Sequence, residues 1–174
     1  MFKAVYSGRP RPAERARVRF GKGKRSYYMY MPEVYRNYKG KLIEFFGQYE
    51  SDPRLVELFD SQKIIYGLSV KLIFRLKSKG DNPFYTLRPD IDNLFKAVTD
   101  SLFQSSVNLI DNGYEEDKDG QLILDVEGDP IPKFKQKIDD CRICHTEIIK
   151  LRVDTVEEEG FTVIIRNIGK DDTE

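Results

Sequence analysis

The sequence has only two cysteines among its 174 residues, Cys141 and Cys144. Two cysteines are too few for the disulfide framework of a small secreted domain, so a reducing compartment is expected. The chain also lacks any apolar run near the ~18 residues that a membrane-spanning helix needs. Its first residues, M-F-K-A-V-Y-S-G, lack the apolar core of a signal peptide. We therefore expect a cytoplasmic protein that makes no membrane contact.

Acidic residues are scarce in residues 1–41, which hold twelve Lys and Arg against Glu14 and Glu33. This segment carries a net charge of +10, and because the whole chain is neutral, the remainder carries −10. One interpretation is a polyanion-binding face on an acidic body. The other is a solvated basic loop, and charge alone does not decide between them.

Hydrophobic residues make up 40% of the chain and aromatic residues 12%, enough to bury a core in a protein of this size. The length fits one domain over residues 1–174. Alternating or continuously apolar stretches predict strands, and apolar residues at helical spacing predict helices. The predicted strands cover residues 2–7, 64–76, 142–153 and 161–167. The predicted helices lie after Pro32, after Pro53 and, with apolar residues from Ile91 to Leu102, after Pro89.

Two segments between these elements have an unusual composition. Residues 8–26 are basic and contain two prolines and three glycines, which predicts a long loop or an irregular hairpin. Residues 104–136 are acidic and rich in glycine and proline, which predicts an insertion with room for a hairpin of its own. The resulting order, β-α-β-α-(insertion)-β-β, predicts an α/β (α+β) fold in which two main helices pack on a mixed β-sheet.

The most informative segment is R-P-D-I-D-N-L-F-K-A-V-T-D. Pro89 disfavours a helical conformation in the residue before it, so we expect Asp90 in an extended lead-in and Asp92 at or near the N-cap. Lys96 and Asp100 follow at intervals of one helical turn and form a polar stripe opposite the apolar face. A purely structural interpretation makes Asp92 a cap and gives Lys96 i,i+4 pairs worth ~0.2–0.5 kcal/mol each.

A third acidic position lies further along the chain, where Asp139 and Asp140 directly precede a predicted strand. We expect their side chains at a sheet edge near the start of the helix. Two or three convergent carboxylates without paired cations suit Mg²⁺, which prefers hard oxygen ligands and retains water for chemistry. A nearby lysine completes a set that cleaves phosphodiesters, because it screens the phosphate charge while the metal activates water.

The stretch P-D-I-D-N-L-F-K-A-V-T-D-S-L, followed later by D-D and a strand, resembles the RusA-type Holliday junction resolvases. The opening G-R-P-R-P-A-E-R-A-R-V-R-F is similar to the Pro- and Arg-rich opening of that family. The resemblance covers nearly all of the chain outside residues 104–136. It implies a Mg²⁺-dependent endodeoxyribonuclease, with Mn²⁺ able to substitute, that resolves four-way junctions by paired nicks in DNA recombination and repair. A phage or prophage origin rests on the resemblance alone.

The resemblance assigns catalytic and metal-binding roles to Asp90, Asp92 and Asp140, and an essential catalytic lysine to Lys96. It also implies a symmetric homodimer, because a two-fold protein can nick two strands of a roughly symmetric junction. In this picture the basic segment contacts phosphates and makes DNA binding steeply salt-dependent. The predicted DNA-binding residues are Arg9, Arg11, Arg15, Arg17, Arg19, Lys22, Lys24 and Arg25.

Two departures from the family pattern concern the third ligand. The helix and the D-D step are joined here by the long insertion, where the family has a short connection. Arg142 stands where the family tends to place glutamine. Asp117 and Asp119 in the insertion therefore stay open as alternatives to Asp140. Since DNA repels an acidic segment, we expect the insertion to point away from it.

Other functions also stay open at this point. One is a non-catalytic module that binds branched DNA through the basic segment, and another is a nuclease that uses the same carboxylates on flap or RNA substrates. The string C-x-x-C-H at residues 141–145 matches the attachment motif of c-type haem. We expect no haem, because such proteins are exported, and no zinc site, because a single histidine leaves too few ligands. Free thiols, buried or partly exposed, are the expected state.

Overall fold

The computed structural model describes residues 1–20 and 27–173 of the chain. The elements in these ranges are β1 (Phe2–Ser7), β2 (Arg17–Phe20), β3 (Tyr27–Tyr30), α1 (Glu33–Gly47), α2 (Pro53–Leu58), β4 (Leu68–Lys77), α3 (Ile91–Phe103), β5 (Leu109–Tyr114), β6 (Pro132–Gln136), β7 (Ile143–Val153) and β8 (Gly160–Asn167). Short 3₁₀ helices cover Asp140–Arg142 and Lys170–Thr173. Within the described ranges, no helix is both long enough and apolar enough to cross a membrane.

Four strands form the central sheet in the order β1-β8-β4-β7. β8 runs antiparallel to β1 and β4, whereas β4 and β7 are parallel. A parallel pair needs a crossover connection, and here α3 and the insertion lie in the chain between β4 and β7. The predicted α/β fold with a mixed sheet is confirmed. β4 begins at Leu68 rather than at residue 64, because Gly67 adopts a φ of 132°, which interrupts the extended backbone.

The hydrophobic core lies between the sheet and the helices α1 and α3, which pack against each other. In β4, buried Leu72, Phe74 and Leu76 alternate with the partly exposed Ile73 and Arg75, because successive strand side chains point to opposite faces. The helices present buried side chains at helical spacing: Tyr35, Tyr38, Leu42 and Phe46 from α1, and Leu94, Val98 and Leu102 from α3. Burial of one such side chain stabilises the fold by ~1.5–3 kcal/mol.

The predicted insertion does form a hairpin, made of β5 and β6. Asn108, which is fully buried, closes its base. The Asn108 side-chain amide donates to the carbonyls of Phe103 and Ile138, and its Oδ1 accepts from the Ile138 N–H, all at 3.0 Å. The chain therefore returns, after the insertion, to the point where it left the end of α3.

Candidate active site

The start of α3 holds the first two predicted site residues. Asp90 occupies the N-cap position with extended backbone, φ −67° and ψ 145°, and the helix begins at Ile91. Asp92 lies in the first turn, two residues after the N-cap, so it is near the cap, as expected, but is not the cap itself. The Asp90 side chain makes no capping hydrogen bond, and within the described ranges neither carboxylate has a hydrogen bond or an ion pair. Both side chains are exposed and available for a ligand.

The segment that leads into Asp90 is held by two side chains. Lys150 on β7 donates hydrogen bonds to the carbonyls of Leu87 and Pro89, both at 2.9 Å. The Tyr85 hydroxyl donates to the carbonyl between them, that of Arg88, at 2.9 Å. The Lys150 ammonium also lies 5.4 Å from the centre of the Tyr85 ring, within cation–π range. Three consecutive carbonyls are thereby bound, which orients the backbone just before Asp90.

The sequence reasoning did not identify Lys150 or Tyr85 as part of the site. A signal was available in the sequence of β7, where Lys150 interrupts an otherwise apolar run, I-I-K-L. A lysine at such a position needs acceptors for its ammonium group, because burying an unpaired charge is costly.

The polar stripe of α3 is formed as predicted by its spacing. Lys96 Nζ lies 3.0 Å from both carboxylate oxygens of Asp100, one helical turn further on. The Lys96 side chain is 62% exposed and that of Asp100 21%. Asp100 also faces the helix α1: burial first, and then the charges of Asp100 and Glu14, raise the pKa of Tyr35. Lys96 is thus an exposed cation held on the face where Asp92 lies.

Asp139 and Asp140 lie at the 3₁₀ turn that follows the insertion. Asp139 caps this turn by accepting the Cys141 backbone N–H at 2.9 Å, which lowers the pKa of Asp139. The pKa of Asp140 is raised, first by desolvation and then by the neighbouring Asp139. The charge of Asp100 raises it further, whereas that of Lys96 lowers it. Because the turn also contacts α3, the structure brings Asp140 to the Lys96–Asp100 part of the polar stripe.

The three predicted metal ligands do not form a closed ligand set in this structure. Within residues 1–20 and 27–173, Asp90, Asp92 and Asp140 are not a group whose carboxylate oxygens all lie within 4.8 Å of one another. Such a group does occur at Asp125, Glu127 and Asp129, which are exposed at the tip of the insertion, beyond the paired strands of its hairpin.

The acidic residues at the tip of the insertion already have a structural role. Asp125 Oδ1 accepts the backbone N–H groups of Glu127 at 2.9 Å and Asp129 at 3.0 Å. Asp117 Oδ1 does the same for Asp119 and Gln121, both at 2.9 Å. These aspartates organise tight turns, a common use of short polar side chains in loops. Asp117 and Asp119, the alternatives for the third ligand, therefore lie in an exposed turn of the insertion.

The basic segment lies directly beside Asp90. A cavity of about 440 Å³ is lined by residues 9–13 together with Arg88, Pro89, Asp90 and Asn93. A backbone hydrogen bond of 2.8 Å from Ala13 N–H to the Asn93 carbonyl ties the segment to the first turn of α3. The cavity therefore combines an unpaired carboxylate with the cations of Arg9, Arg11 and Arg88.

The other predicted DNA-binding residues are spread along the same segment. Arg15, Arg17 and Arg19 are exposed, and Arg17 pairs with Glu14 at 2.8 Å. The predicted DNA-binding residues Lys22, Lys24 and Arg25 lie outside the described residues.

The C-x-x-C-H string lies at the 3₁₀ turn and the start of β7. Cys141 and Cys144 are free thiols, as expected. Both are exposed, so the expectation that they could be buried is wrong. The Nδ1 atom of His145 lies 2.8 Å from the Ser69 hydroxyl on the neighbouring strand. Within the described ranges, neither cysteine joins this histidine in a group of three or more metal-ligating side chains.

In a comparison with protein families, residues 7–113 match a model described as the endodeoxyribonuclease RusA. The matched range contains the basic segment and the first three predicted site residues, Asp90, Asp92 and Lys96. It ends inside β5, so Asp139 and Asp140 lie beyond it. Comparison with curated proteins and with solved structures gave no match.

Proposed function

Because the chain belongs to the RusA family of endodeoxyribonucleases, we propose that it is a Mg²⁺-dependent endonuclease selective for branched DNA. It resolves Holliday junctions by paired nicks during DNA recombination and repair in the cytoplasm, and Mn²⁺ substitutes for Mg²⁺. A homodimer suits this task, because two sites related by a two-fold axis meet two equivalent strands of a four-way junction.

The observation that carries the proposal is the cavity shared by Asp90 and the arginines Arg9, Arg11 and Arg88. Arginine forms strong charge-assisted hydrogen bonds with phosphate. The carboxylate in the same cavity would repel a phosphate unless a cation lies between them. A divalent ion held by Asp90 would remove that conflict, so that the carboxylate and the arginines could bind one phosphodiester together, which is the arrangement a metal-dependent nuclease requires.

The residues present fit a hard divalent cation. Carboxylate oxygens are the ligands that Mg²⁺ prefers, and within the described part of the chain no cation competes for Asp90 or Asp92. Asp140 is the proposed third ligand, and its oxygens would have to approach those of the other two on binding. When bound, the ion supplies Lewis-acid activation of water and stabilisation of negative charge on the phosphate.

Lys96 has a separate proposed role at the phosphate. Its ammonium group is exposed, and the contact with Asp100 holds it on the polar stripe of α3. A cation in this position stabilises the charge that develops on the phosphate oxygens as the bond breaks. The basic segment binds the flanking backbone, and its proposed contacts are Arg9, Arg11, Arg15, Arg17, Arg19, Lys22, Lys24 and Arg25.

The direct test is cleavage of a mobile four-way junction with and without Mg²⁺. We expect paired nicks by the parent protein in Mg²⁺ or Mn²⁺ and none in a chelator. Asp92→Asn is expected to abolish cleavage while junction binding is retained. Asp171→Asn is the matched control, because Asp171 is an exposed aspartate near the end of the chain, and it is expected to cut like the parent. Undiminished cleavage by the Asp92 variant would refute the mechanism.

The same experiment separates the alternative functions. Junction binding without cleavage under any divalent metal would identify a non-catalytic module for branched DNA. Competition among junction, flap, duplex and RNA substrates would identify a nuclease with a different preference. Salt-independent absence of binding to all of them would leave the basic segment as a solvated loop.

A further inference from the structure

A second cavity, also of about 440 Å³, lies between the end of β1 and the exposed side of α1. Seven of its lining residues offer hydrogen-bond donors on their side chains: Tyr6, Ser7, Arg9, Arg11, Asn37, Tyr38 and Lys41. Arg9 and Arg11 line the cavity beside Asp90 as well. The two cavities are therefore neighbours that share these two arginines.

The second cavity carries positive charge that the protein does not neutralise. In the described part of the chain, Arg11 and Lys41 have no ion-pair partner. Arg9 has one, the buried carboxylate of Glu159, at 3.7 Å. Two unpaired cations that face one cavity repel each other, and an anion bound between them converts this repulsion into attraction. The charge pattern thus indicates an anionic ligand.

The Tyr38 hydroxyl points to the same kind of ligand. Tyr38 is 5% exposed, and no group in residues 1–20 or 27–173 accepts a hydrogen bond from its hydroxyl. Burial raises the pKa of Tyr38, so the hydroxyl keeps its proton. The backbone amide of Arg11 has a smaller, opposite effect on that pKa, but an amide is a donor and leaves the hydroxyl proton without an acceptor. Buried donors in native proteins generally have an acceptor.

We propose that this second cavity binds a phosphate of the DNA backbone other than the one that is cleaved. The proposal rests on the proposed function, because it takes the bound DNA as the source of the phosphate. The phosphate oxygens meet the Arg11 guanidinium and the Lys41 ammonium, and one of them accepts the Tyr38 proton once the hydroxyl, which is shielded from solvent in this structure, turns toward the cavity. Contacts of this kind set the register of the DNA on a protein. Here they hold the strand so that its scissile phosphate lies at Asp90.

The first test compares Lys41→Ala with Lys39→Ala. Both lysines lie on α1 and both variants remove one positive charge, but only Lys41 lines the cavity. Junction affinity is measured at several salt concentrations in Ca²⁺, where binding is followed without cleavage. Loss of one phosphate contact lowers the slope of log affinity against log salt by about 0.9. We expect this change for Lys41→Ala and a smaller one for Lys39→Ala. Equal slopes for the two variants would overturn the proposal.

The second test locates the phosphate on the DNA. Each phosphate near the cut is replaced in turn by an uncharged methylphosphonate, and binding is measured with the parent and both variants. At one non-scissile position we expect the replacement to weaken binding by the parent and by Lys39→Ala, but not by Lys41→Ala. If the effects of the replacement and of Lys41→Ala simply add at every position, Lys41 contacts no particular phosphate and the proposal is wrong.

The outcome for the phosphate site is independent of the outcome for the nuclease. If the parent protein binds junctions but never cuts them, the proposed function fails, while the methylphosphonate test still reports on the second cavity. If the parent cuts and no methylphosphonate position depends on Lys41, the nuclease stands and the second phosphate site is rejected. Thermal unfolding of each variant confirms that the substitutions, all at solvent-accessible side chains, leave the fold intact.

Discussion

The Lys150 ammonium lies 2.9 Å from the carbonyl oxygen of Pro89, the residue immediately before Asp90. Lys150 belongs to β7, whose partner across the sheet is the buried strand β4. The backbone that leads into Asp90 is thereby tied to the central sheet. The catalytic role proposed for Asp90 needs such support, because small displacements of a reacting group cost much of its effect.

We predict that Lys150→Met lowers cleavage on the order of 10²-fold, the usual cost of misplacing a reacting group by about 1 Å. The variant also loses two charge-assisted hydrogen bonds, each worth ~1.5–3 kcal/mol, so its Tm falls as well. Single-turnover cleavage and thermal unfolding measure the two effects.

Two further variants show whether the effect of Lys150 is specific. Tyr85→Phe removes only the bond to the Arg88 carbonyl, so we expect a smaller loss of cleavage. Lys79→Met changes an exposed lysine in the loop after β4, and we expect parental cleavage. A Lys150 variant that is less stable but cuts normally would show that this lysine supports the fold alone.

Substitution of Lys96 distinguishes a structural role of this residue from a catalytic one. Its pair with Asp100 is exposed and of the i,i+4 type, which is worth only ~0.3–0.5 kcal/mol. We predict that Lys96→Met leaves the Tm nearly unchanged but lowers kcat by ~10²–10³-fold, as expected for a group that stabilises transition-state charge. Lys63→Met removes a comparable surface pair, with Glu57, and serves as the control. A loss of stability without a loss of rate would assign Lys96 to the helix alone.

The raised pKa of Asp140 predicts a dependence of stability on pH in metal-free protein. Desolvation and then the neighbouring Asp139 disfavour the ionised form of Asp140 in the folded state. Well below the unfolded pKa of about 3.9, Asp140 is protonated in both states and has no effect. As the pH rises through the folded-state pKa, ionisation destabilises the fold. Asp140→Asn is therefore expected to raise the Tm at pH 7 in a chelator, with a difference that shrinks toward pH 3.

The exposed Asp81, in the loop after β4, provides the comparison for Asp140. Asp81→Asn is expected to leave the Tm unchanged at both pH values. If Asp140→Asn lowers the Tm at pH 7, the carboxylate stabilises the fold and its proposed availability for a metal ion is wrong.

Asn108 is the predicted weak point of the connection between α3 and Asp140. Asn108→Ala removes the partner of the Ile138 N–H and of the Ile138 carbonyl, whereas the Phe103 carbonyl keeps its hydrogen bond from the Gln136 amide at 3.1 Å. Each buried unsatisfied group costs ~1–3 kcal/mol, so we expect a clear fall in the free energy of unfolding, measured by urea denaturation. We also expect weaker cleavage, because Ile138, which Asn108 holds in place, lies only two residues before Asp140. Asn112→Ala, in the exposed part of the hairpin, should change neither quantity.

Removal of the tip of the insertion tests whether Asp140 or an acidic residue of the insertion is the third metal ligand. Tyr114 and Pro132 are paired across the hairpin, so an Asn-Gly turn can replace residues 115–131. This removes seven acidic residues, among them Asp117, Asp119 and the Asp125 group. Because nearly all of these side chains are exposed, we expect the fold and junction cleavage to be retained. A folded but inactive variant would place an essential ligand in the insertion.

Much of the architecture could be predicted from local patterns. The long apolar, β-branched run in β4 and the helical spacing in α1 and α3 predicted their type and approximate bounds, because a central strand is apolar and burial of one helix face imposes a period on the sequence. The observed elements begin at residues other than the predicted ones in two places: β4 begins after Gly67, and α3 begins after its N-cap, Asp90. The polar stripe of Asp92, Lys96 and Asp100 was equally predictable, since one helix contains all three.

The amino-acid sequence by itself determined the elements, the segregation of charge and the motif that indicates the family, because each depends on residues close together along the chain. Only the tertiary structure decided which distant groups meet: Lys150 with Pro89, Asp140 with the stripe of α3, and the basic segment with Asp90. These contacts join residues from separate elements, and no periodicity encodes them. They follow from the strand order of the sheet and from the hydrogen bonds at Asn108 that close the base of the insertion.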